Sequence, residues 1–177
     1  MSQDLTFEAL CKTGNRELMR LLRQGTPPAL SDLVGYEFRG YNTNPATELL
    51  RIRKFKKGFA EDPHDPDALA GYNVTVRQNG LVSPWLPRMR RGEPHRHSLF
   101  AVRPLRPGEP AKHPNALLLD YKLPGKLPAD PSWLLTDYLV QISPENPDLL
   151  LGVGYGAVGP VFVFGSFFIA ERYNPIL

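Results

Sequence analysis

Apolar and polar residues alternate along several short stretches of this chain, and such alternation is typical of half-buried β-strands. In residues 34–41, Tyr36, Phe38 and Gly40 would share one face of a strand, while polar positions face the other way. Comparable stretches follow at 51–59, 71–78, 98–105, 115–122 and 136–143. Most connections between them are short enough to join antiparallel neighbours. The pattern predicts a mainly β protein with a single antiparallel up-and-down barrel of about eight or nine strands.

The longest apolar stretch covers residues 149–172 and has no charge before Glu171. A membrane-spanning helix needs about 20 apolar residues, so the stretch is long enough to raise that possibility. Several glycines and the Gly159-Pro160 pair interrupt it, however, and no basic cluster flanks either end. We therefore predict a β-hairpin and no transmembrane segment. The second arm is apolar on both faces, so it should pack against the barrel interior on one side and a helix on the other.

The N-terminal region differs from the rest because its apolar residues recur at helical spacing. Residues 5–24 predict helix in two short pieces, broken at Thr13-Gly14. A further helical turn is expected at 46–50, and Asn79-Gly80 predicts a hairpin whose second strand is 81–85. At 177 residues the chain has the length of one domain. We predict a single domain over 1–177, with a helical cover at 1–33 packed on a barrel at 34–173.

Charge is distributed unevenly along the chain. The whole chain carries +3, whereas residues 51–97 hold ten basic and five acidic residues and carry +5, which leaves −2 for the remainder. A basic region of this kind can attract an anionic ligand, a lipid headgroup or nucleic acid. No pattern typical of a nucleic-acid-binding module accompanies it, so we predict no nucleic-acid partner. We expect the second strand and the loop before His97 to meet at one rim of the barrel, its open mouth.

The single cysteine, Cys11, excludes an intramolecular disulfide and a cysteine-based zinc site. The N-terminus is acidic where a secretory signal would be basic and then apolar, so we predict a cytoplasmic protein. His64 lies among three aspartates but lacks a second histidine at ligand spacing, so no metal site is predicted. We expect no cofactor, and either a monomer or a homodimer.

The run GYEFRG at 35–40 resembles the first-strand motif of the GXWXG family of small proteins, with Phe38 in place of the tryptophan. It is more distantly similar to the G-x-W start of lipocalin-like, calycin-type barrels. Similar features recur in order at 55–59, at 117–121 before Asp137-Tyr138, and at 151–172. The resemblance implies a lipocalin-like barrel in which Phe38 packs under Arg172 at the closed end, as a cation over a ring.

The leading functional hypothesis is a binding protein. A barrel of this size holds one small ligand in a mostly apolar cavity, and a fatty acid, a lipid or another small hydrophobic or amphipathic metabolite would fit. Arg53 and His97 are candidate anchors for a polar head, with Arg90, Arg91 and Arg96 in a basic loop nearby. The aromatic wall would come from Tyr36, Phe100, Tyr121, Tyr138, Tyr155 and Phe164.

Two other hypotheses use the same cavity. An isomerase, cyclase or hydrolase would need an acid or base, and the candidates are His95, His97, His113 and Asp120, the last as a buried carboxylate. No nucleophile elbow, phosphate-binding loop or zinc-protease motif is present. Haem binding would need only one proximal histidine, although none of the four is distinguished by its context.

Overall fold

The structure is a computed structural model that describes residues 5–123, 131–158 and 161–176, without the side chains of residues 131, 157, 158 and 161–164. It is mainly β. The strands are β1 (Tyr36–Asn42), β2 (Lys54–Glu61), β3 (Leu69–Thr75), β4 (Met89–Arg90), β5 (Glu93–Pro94), β6 (Arg96–Arg103), β7 (Leu117–Asp120), β8 (Leu135–Gln141), β9 (Leu149–Val158) and β10 (Val161–Pro175). The helices are α1 (Phe7–Cys11), α2 (Asn15–Gln24), α3 (Leu30–Leu33) and α4 (Ala46–Leu49), with a 3-10 helix at Pro131–Leu134.

Eight of these strands close into one antiparallel barrel, in the order β1-β10-β9-β8-β7-β6-β3-β2, with β2 pairing back to β1. Apart from the pair β1-β10, which joins the first strand to the last, neighbours in the barrel follow one another along the chain. The short hairpin β4-β5 stands outside the barrel between β3 and β6. The predicted mainly β fold with an antiparallel up-and-down barrel is therefore confirmed.

Burial on both faces of the wall explains why β10 is apolar from Phe167 to Ala170. Phe168 and Ala170 belong to the cluster inside the barrel, which also contains Phe38 and Phe59. Phe167 and Ile169 belong to a second cluster on the outside. Because successive side chains of a strand point to opposite faces, one continuous apolar run supplies both clusters.

The N-terminal helices complete the outer cluster. In α1, Thr6 caps the first turn by accepting a hydrogen bond from the Ala9 amide at 3.3 Å. The buried faces of α1 and α2, which include Phe7, Leu18 and Leu22, pack in the outer cluster with Leu149 and other residues of β9 and β10. Helical spacing thus predicts the part of the chain that covers this side of the barrel.

The two ends of the barrel are built differently. At one end, α3 contributes Leu33 to the inner cluster beside Phe38 and Phe59, which closes the barrel. At the other end lie the connection containing α4, the β4-β5 hairpin and the 3-10 helix, because these join strand ends that meet there. That end contains a cavity. The barrel therefore has a closed end and an open mouth.

The hairpin predicted at Asn79-Gly80 is wrong in its second arm. Residues 76–88 form a loop with one isolated bridge, between Val76 and Pro87. The Lys54 ammonium donates to the carbonyl oxygens of Gly80 and Ser83 at 2.8 and 2.9 Å. Carbonyls that converge on one cation cannot form a strand ladder, so the loop folds around that lysine. The predicted break at Gly159-Pro160 lies outside the described residues.

Candidate functional site

A cavity of about 570 Å³ occupies the open end of the barrel. Most of its surface is apolar and includes Leu50, Ile52, Phe55 and Phe168. Polar residues line it at the mouth, among them Arg51, His97 and Ser98. Four more polar side chains lie together deeper inside: Lys57, Asn73, Tyr121 and Asp137. Lys57, Asn73 and Asp137 are each one inward-facing position deeper than the end of their strand at the mouth, as the register of β2, β3 and β8 shows. The cavity therefore has a mostly apolar surface and a polar cluster at its floor.

The polar floor is a connected hydrogen-bond cluster around the Lys57 ammonium. Its Nζ donates to Tyr121 Oη at 2.7 Å, to Asn73 Oδ1 at 3.0 Å and to Asp137 Oδ2 at 3.2 Å. The Tyr121 hydroxyl in turn donates to Asp137 Oδ2 at 3.0 Å. Three acceptors match the three N–H donors of an ammonium group. We call these four residues the floor cluster.

Aromatic rings enclose the same ammonium group. Lys57 Nζ lies 4.6 Å from the ring centre of Phe100, 5.2 Å from that of Phe168 and 5.4 Å from those of Phe55 and Tyr121. Burial lowers the pKa of Lys57 below its ordinary value, while the neighbouring Asp137 acts in the opposite direction. Burial also raises the pKa of the Tyr121 phenol well above its ordinary value, and Asp137 adds to that rise. An amine, a phenol and a carboxylate thus share a desolvated site.

Glycine on β9 makes room for the carboxylate. Gly154 pairs with Asp137 across the β8-β9 ladder, and a Cβ atom at Gly154 would lie 2.8 Å from Asp137 Oδ1. At Gly156, one inward position nearer the mouth, a Cβ atom would meet nothing within 4 Å. The wall beside the floor cluster is therefore formed by backbone, which leaves the interior open to a ligand.

Two cavity-lining residues have a backbone conformation that is uncommon outside glycine. Arg51 has φ 55° and Ser98 has φ 50°. Left-handed conformations of non-glycine residues carry a conformational cost and often occur at functional sites. Both positions lie at the mouth, where Arg51 follows α4 and Ser98 lies in β6. Their occurrence at the entrance supports a functional role for this end.

Only one of the three lysines in β2 directs its ammonium group into the barrel, although Lys54 also borders the cavity. Lys56 faces outwards, where its Nζ donates to Glu37 Oε2 at 3.0 Å and to Asn174 Oδ1 at 2.7 Å. Lys54 also turns to the outer loop, with its Nζ 3.8 Å from the Trp85 ring centre. Strand alternation therefore separates Lys57 from its neighbours, which are similarly buried but bind to other partners.

Of the sequence-predicted ligand residues, Tyr121 and His97 line the cavity, and Phe100 lies beneath the floor cluster at the level of Gly71. Tyr121 belongs to the floor cluster, and Phe100 packs against it with ring centres 4.9 Å apart. His97 lines the cavity and shares a hydrogen bond of 2.8 Å with Ser98 Oγ. Arg53 lies beside the mouth, where it forms an ion pair with Glu48. These placements leave their roles in ligand binding as predictions.

Two predicted wall residues, Tyr138 and Tyr155, contribute to the outer cluster. Tyr155 borders the cavity, but its hydroxyl shares a 2.8 Å hydrogen bond with His113 Nε2. Tyr138 lines a groove of about 460 Å³ on the outer wall and is absent from the barrel cavity. The cause is strand parity, because β8 turns Asp137 inwards and therefore turns its neighbour outwards. The side chain of Phe164 lies outside the described residues.

The remaining predicted residues lie away from the cavity. Tyr36 and Phe38 are at the closed end, where the Arg172 guanidinium carbon is 4.3 Å from the first ring centre and 5.9 Å from the second. Asp120, expected to be a buried carboxylate, is half-buried on the outer wall with an oxygen 3.8 Å from Arg103. The buried carboxylate of this region is Asp137.

Sequence reasoning missed Lys57, Asn73 and Asp137 as site residues. The available signal was strand parity, because Lys57 occupies a position between Phe55 and Phe59 on one face of β2. A lysine flanked on its own face by aromatic residues is unusual for a solvated surface and indicates a buried amine. The same parity places Asn73 inside β3, two positions from Gly71.

No protein-family model and no curated protein matches the chain. None of the helices in the described ranges has both the length and the apolar character that a membrane crossing requires. The described residues also contain no group of three or more His, Cys, Asp or Glu side chains arranged to hold a metal ion. The function is therefore inferred from the geometry of the cavity and its floor.

Proposed function

We propose that the barrel binds a small hydrophobic or amphipathic molecule lengthwise, with a neutral carbonyl or hydroxyl group at its inner end hydrogen-bonded to the floor cluster. The observation that carries this proposal is the position of a charged, hydrogen-bonded cluster at the bottom of an otherwise largely apolar cavity. Ligand pockets typically combine apolar walls with a few polar groups that fix orientation. The volume of about 570 Å³ lies within the usual range for such pockets.

Charge favours a neutral inner group over a carboxylate. The Lys57 ammonium is already compensated by Asp137, whose Oδ2 lies 3.2 Å from Nζ. A ligand carboxylate at the same depth would meet the negative charge of Asp137 in a desolvated environment, where like charges repel strongly. A carbonyl or hydroxyl oxygen adds no charge, and it can accept a hydrogen bond from Asn73 Nδ2 or take the place of one present acceptor of the Lys57 ammonium.

The mouth suits an anionic or polar outer end. Arg51 lines the cavity near its entrance and is exposed, and Arg90 and Arg91 are exposed at the tip of the β4-β5 hairpin. This hairpin is held at the mouth because the Arg88 amide donates to the Thr75 carbonyl oxygen at the end of β3, at 2.8 Å. An amphipathic ligand with an anionic outer end would therefore bind with that end outside the barrel and its inner carbonyl or hydroxyl group at the floor cluster.

The features that resemble the GXWXG family all belong to the barrel. They lie in β1, β2, β7, β8 and the β9-β10 hairpin. This distribution supports the proposal that the chain shares the lipocalin-like fold of that family. It carries no information about activity, because one fold hosts many functions.

A displacement assay tests the binding proposal. An amphipathic fluorescent dye, 8-anilinonaphthalene-1-sulfonate, is titrated into the protein and displaced with 1-octanol or with octane. We expect octanol to compete better than octane, because only the alcohol can bind to the floor cluster. Losing one such hydrogen bond costs about 1 to 1.5 kcal/mol, which corresponds to a roughly five- to tenfold weaker affinity.

Two tyrosines provide matched variants for this assay. Tyr121→Phe removes a hydroxyl from the floor cluster, and Tyr138→Phe removes one from the outer groove. We expect the first to reduce the advantage of octanol over octane and the second to leave it unchanged. Equal competition by the two compounds, or an effect of Tyr138→Phe alone, would place the ligand elsewhere.

A further inference from the structure

We propose that Lys57 forms a covalent imine with an aldehyde or an unhindered ketone that enters the barrel cavity. The inference rests on the proposed function, since the same cavity would bring the carbonyl group to the floor cluster. It adds a reaction to binding and assigns a role to each polar group around the amine.

The surroundings of Lys57 favour a nucleophilic amine. Its side chain is only 4% exposed, and four aromatic rings lie within 5.4 Å of Nζ. Desolvation of a lysine favours its neutral form, which is the form that attacks carbonyl carbon. Burial accordingly lowers the pKa of Lys57, although the neighbouring Asp137 acts in the opposite direction.

The neighbouring groups match what imine formation requires. One proton of the Lys57 ammonium first moves to the hydrogen-bonded cluster. The nitrogen then forms a bond to the carbonyl carbon, and the carbonyl oxygen becomes a hydroxyl group by taking up a proton. The nitrogen gives up a second proton, the hydroxyl group takes up a second proton, and the carbon–oxygen bond breaks as water leaves. An ammonium and a carbonyl thus give a protonated imine and one water without any change of oxidation state. Asp137, at 3.2 Å from Nζ, would pair with the positive imine, and the Tyr121 hydroxyl can pass the proton to the departing oxygen.

The other buried lysines of β2 lack these features. Lys56 is bound by Glu37 and Asn174 on the outer wall. Lys54 has its pKa lowered to about 8 by burial, yet its Nζ is directed at Asn79 and the carbonyl oxygens of the outer loop. Lys54 is therefore the informative competitor, because it shares a lowered pKa with Lys57 but not the cavity-facing cluster.

Reductive trapping tests the inference. Hexanal is added at one equivalent to the full chain with sodium cyanoborohydride, which reduces an imine to a stable secondary amine. Intact mass measures the number of adducts, and cleavage at residues other than lysine followed by peptide sequencing locates them. We expect one adduct per chain, on Lys57, formed at least about tenfold faster than at exposed lysines such as Lys12 and Lys122, because the cavity holds the aldehyde beside the amine.

Conservative variants supply the controls. Lys57→Arg keeps the positive charge but cannot form an imine, so it should lose the adduct, whereas Lys56→Arg and Lys54→Arg should retain it. Cinnamaldehyde gives a second readout that does not depend on reduction, because its protonated imine absorbs at longer wavelength than the neutral imine. Asp137→Asn should decrease the protonated fraction, since the counterion is removed.

The outcomes separate this inference from the binding proposal. The imine inference would be overturned if the adduct formed on Lys54. It would also be overturned if adducts were spread over exposed lysines at the rate seen in Lys57→Arg. In either case the binding proposal would stand as long as octanol still displaced the dye. The wild-type map alone decides this point, even if Lys57→Arg fails to fold. Absence of both the adduct and octanol competition would remove the imine and the binding function together.

Discussion

Removing the Lys57 amine while keeping Asp137 should destabilise the barrel strongly. The side chains of these residues are 4% and 10% exposed, so Lys57→Met would leave a carboxylate in a desolvated site with the Tyr121 hydroxyl as its nearest remaining donor. Breaking a buried ion pair by removing one partner costs about 3 to 5 kcal/mol. We expect a loss of that size in the free energy of unfolding, measured by urea denaturation followed by circular dichroism.

The double variant Lys57→Met/Asp137→Asn tests the reason for this loss. It removes both charges, while the new amide oxygen can still accept the hydrogen bond from Tyr121. We expect the double variant to lie within about 1 to 2 kcal/mol of the native protein. It should nevertheless lose its preference for octanol over octane, because the floor cluster has lost its ammonium donor.

Lys122→Met controls for the loss of a lysine as such. Lys122 is exposed at the mouth, so its replacement should change the free energy of unfolding by less than about 0.5 kcal/mol. Additive losses in the double variant would show that Lys57 and Asp137 are not energetically coupled. A loss below about 1 kcal/mol in Lys57→Met would likewise refute the buried ion pair.

Three further results are expected. Arg90→Ala/Arg91→Ala should slow the association of an anionic fluorescent fatty acid roughly two- to fivefold at low salt in stopped-flow measurements, and the difference should shrink at high salt. Equal association rates at every ionic strength would contradict a role for these arginines at the mouth. Gly154→Ala should lower the melting temperature and weaken ligand binding, because its Cβ would lie 2.8 Å from the floor carboxylate; unchanged stability and affinity would mean that the wall can shift. Hydrogen bonds from Arg103 lower the pKa of Glu109 from 4.5 to about 2, so the stability that this pair contributes is present above pH 4.5 and is lost as the pH falls towards 2. Glu109→Gln should remove that pH dependence, and parallel curves of stability against pH for the native protein and the variant would contradict the pairing.

Hydrophobic alternation predicted the barrel because the strands bury one or both faces. In β10, for example, Phe167 and Phe168 supply opposite sides of one wall. Local alternation was misleading at 81–85. In a strand, the carbonyl groups of this region would pair with a neighbouring strand, but here they converge on Lys54. That ammonium reaches the loop across more than 25 positions of sequence, so local pattern could not reveal it.

The site was harder to predict because strand parity is ambiguous where both faces are buried. In β8, residues 137–140 are all buried, so the sequence does not indicate whether Asp137 or Tyr138 faces the interior. The expectation of an aromatic cavity wall favoured an inward-facing Tyr138. The buried Lys57 across the barrel, however, requires a carboxylate partner, which is Asp137. That pairing joins positions 80 apart in the chain, and only the closed barrel brings them together.

The most direct test of the binding proposal locates both ends of a bound ligand. Crystals grown with 8-bromo-1-octanol would give an anomalous signal for the bromine and electron density for the hydroxyl group. We predict the hydroxyl oxygen within about 3.2 Å of a floor-cluster donor, with the bromine towards the mouth near Leu50 and Ile52. A bromine at the barrel floor beside Phe100, or a ligand in the outer groove beside Tyr138, would contradict the proposed binding mode.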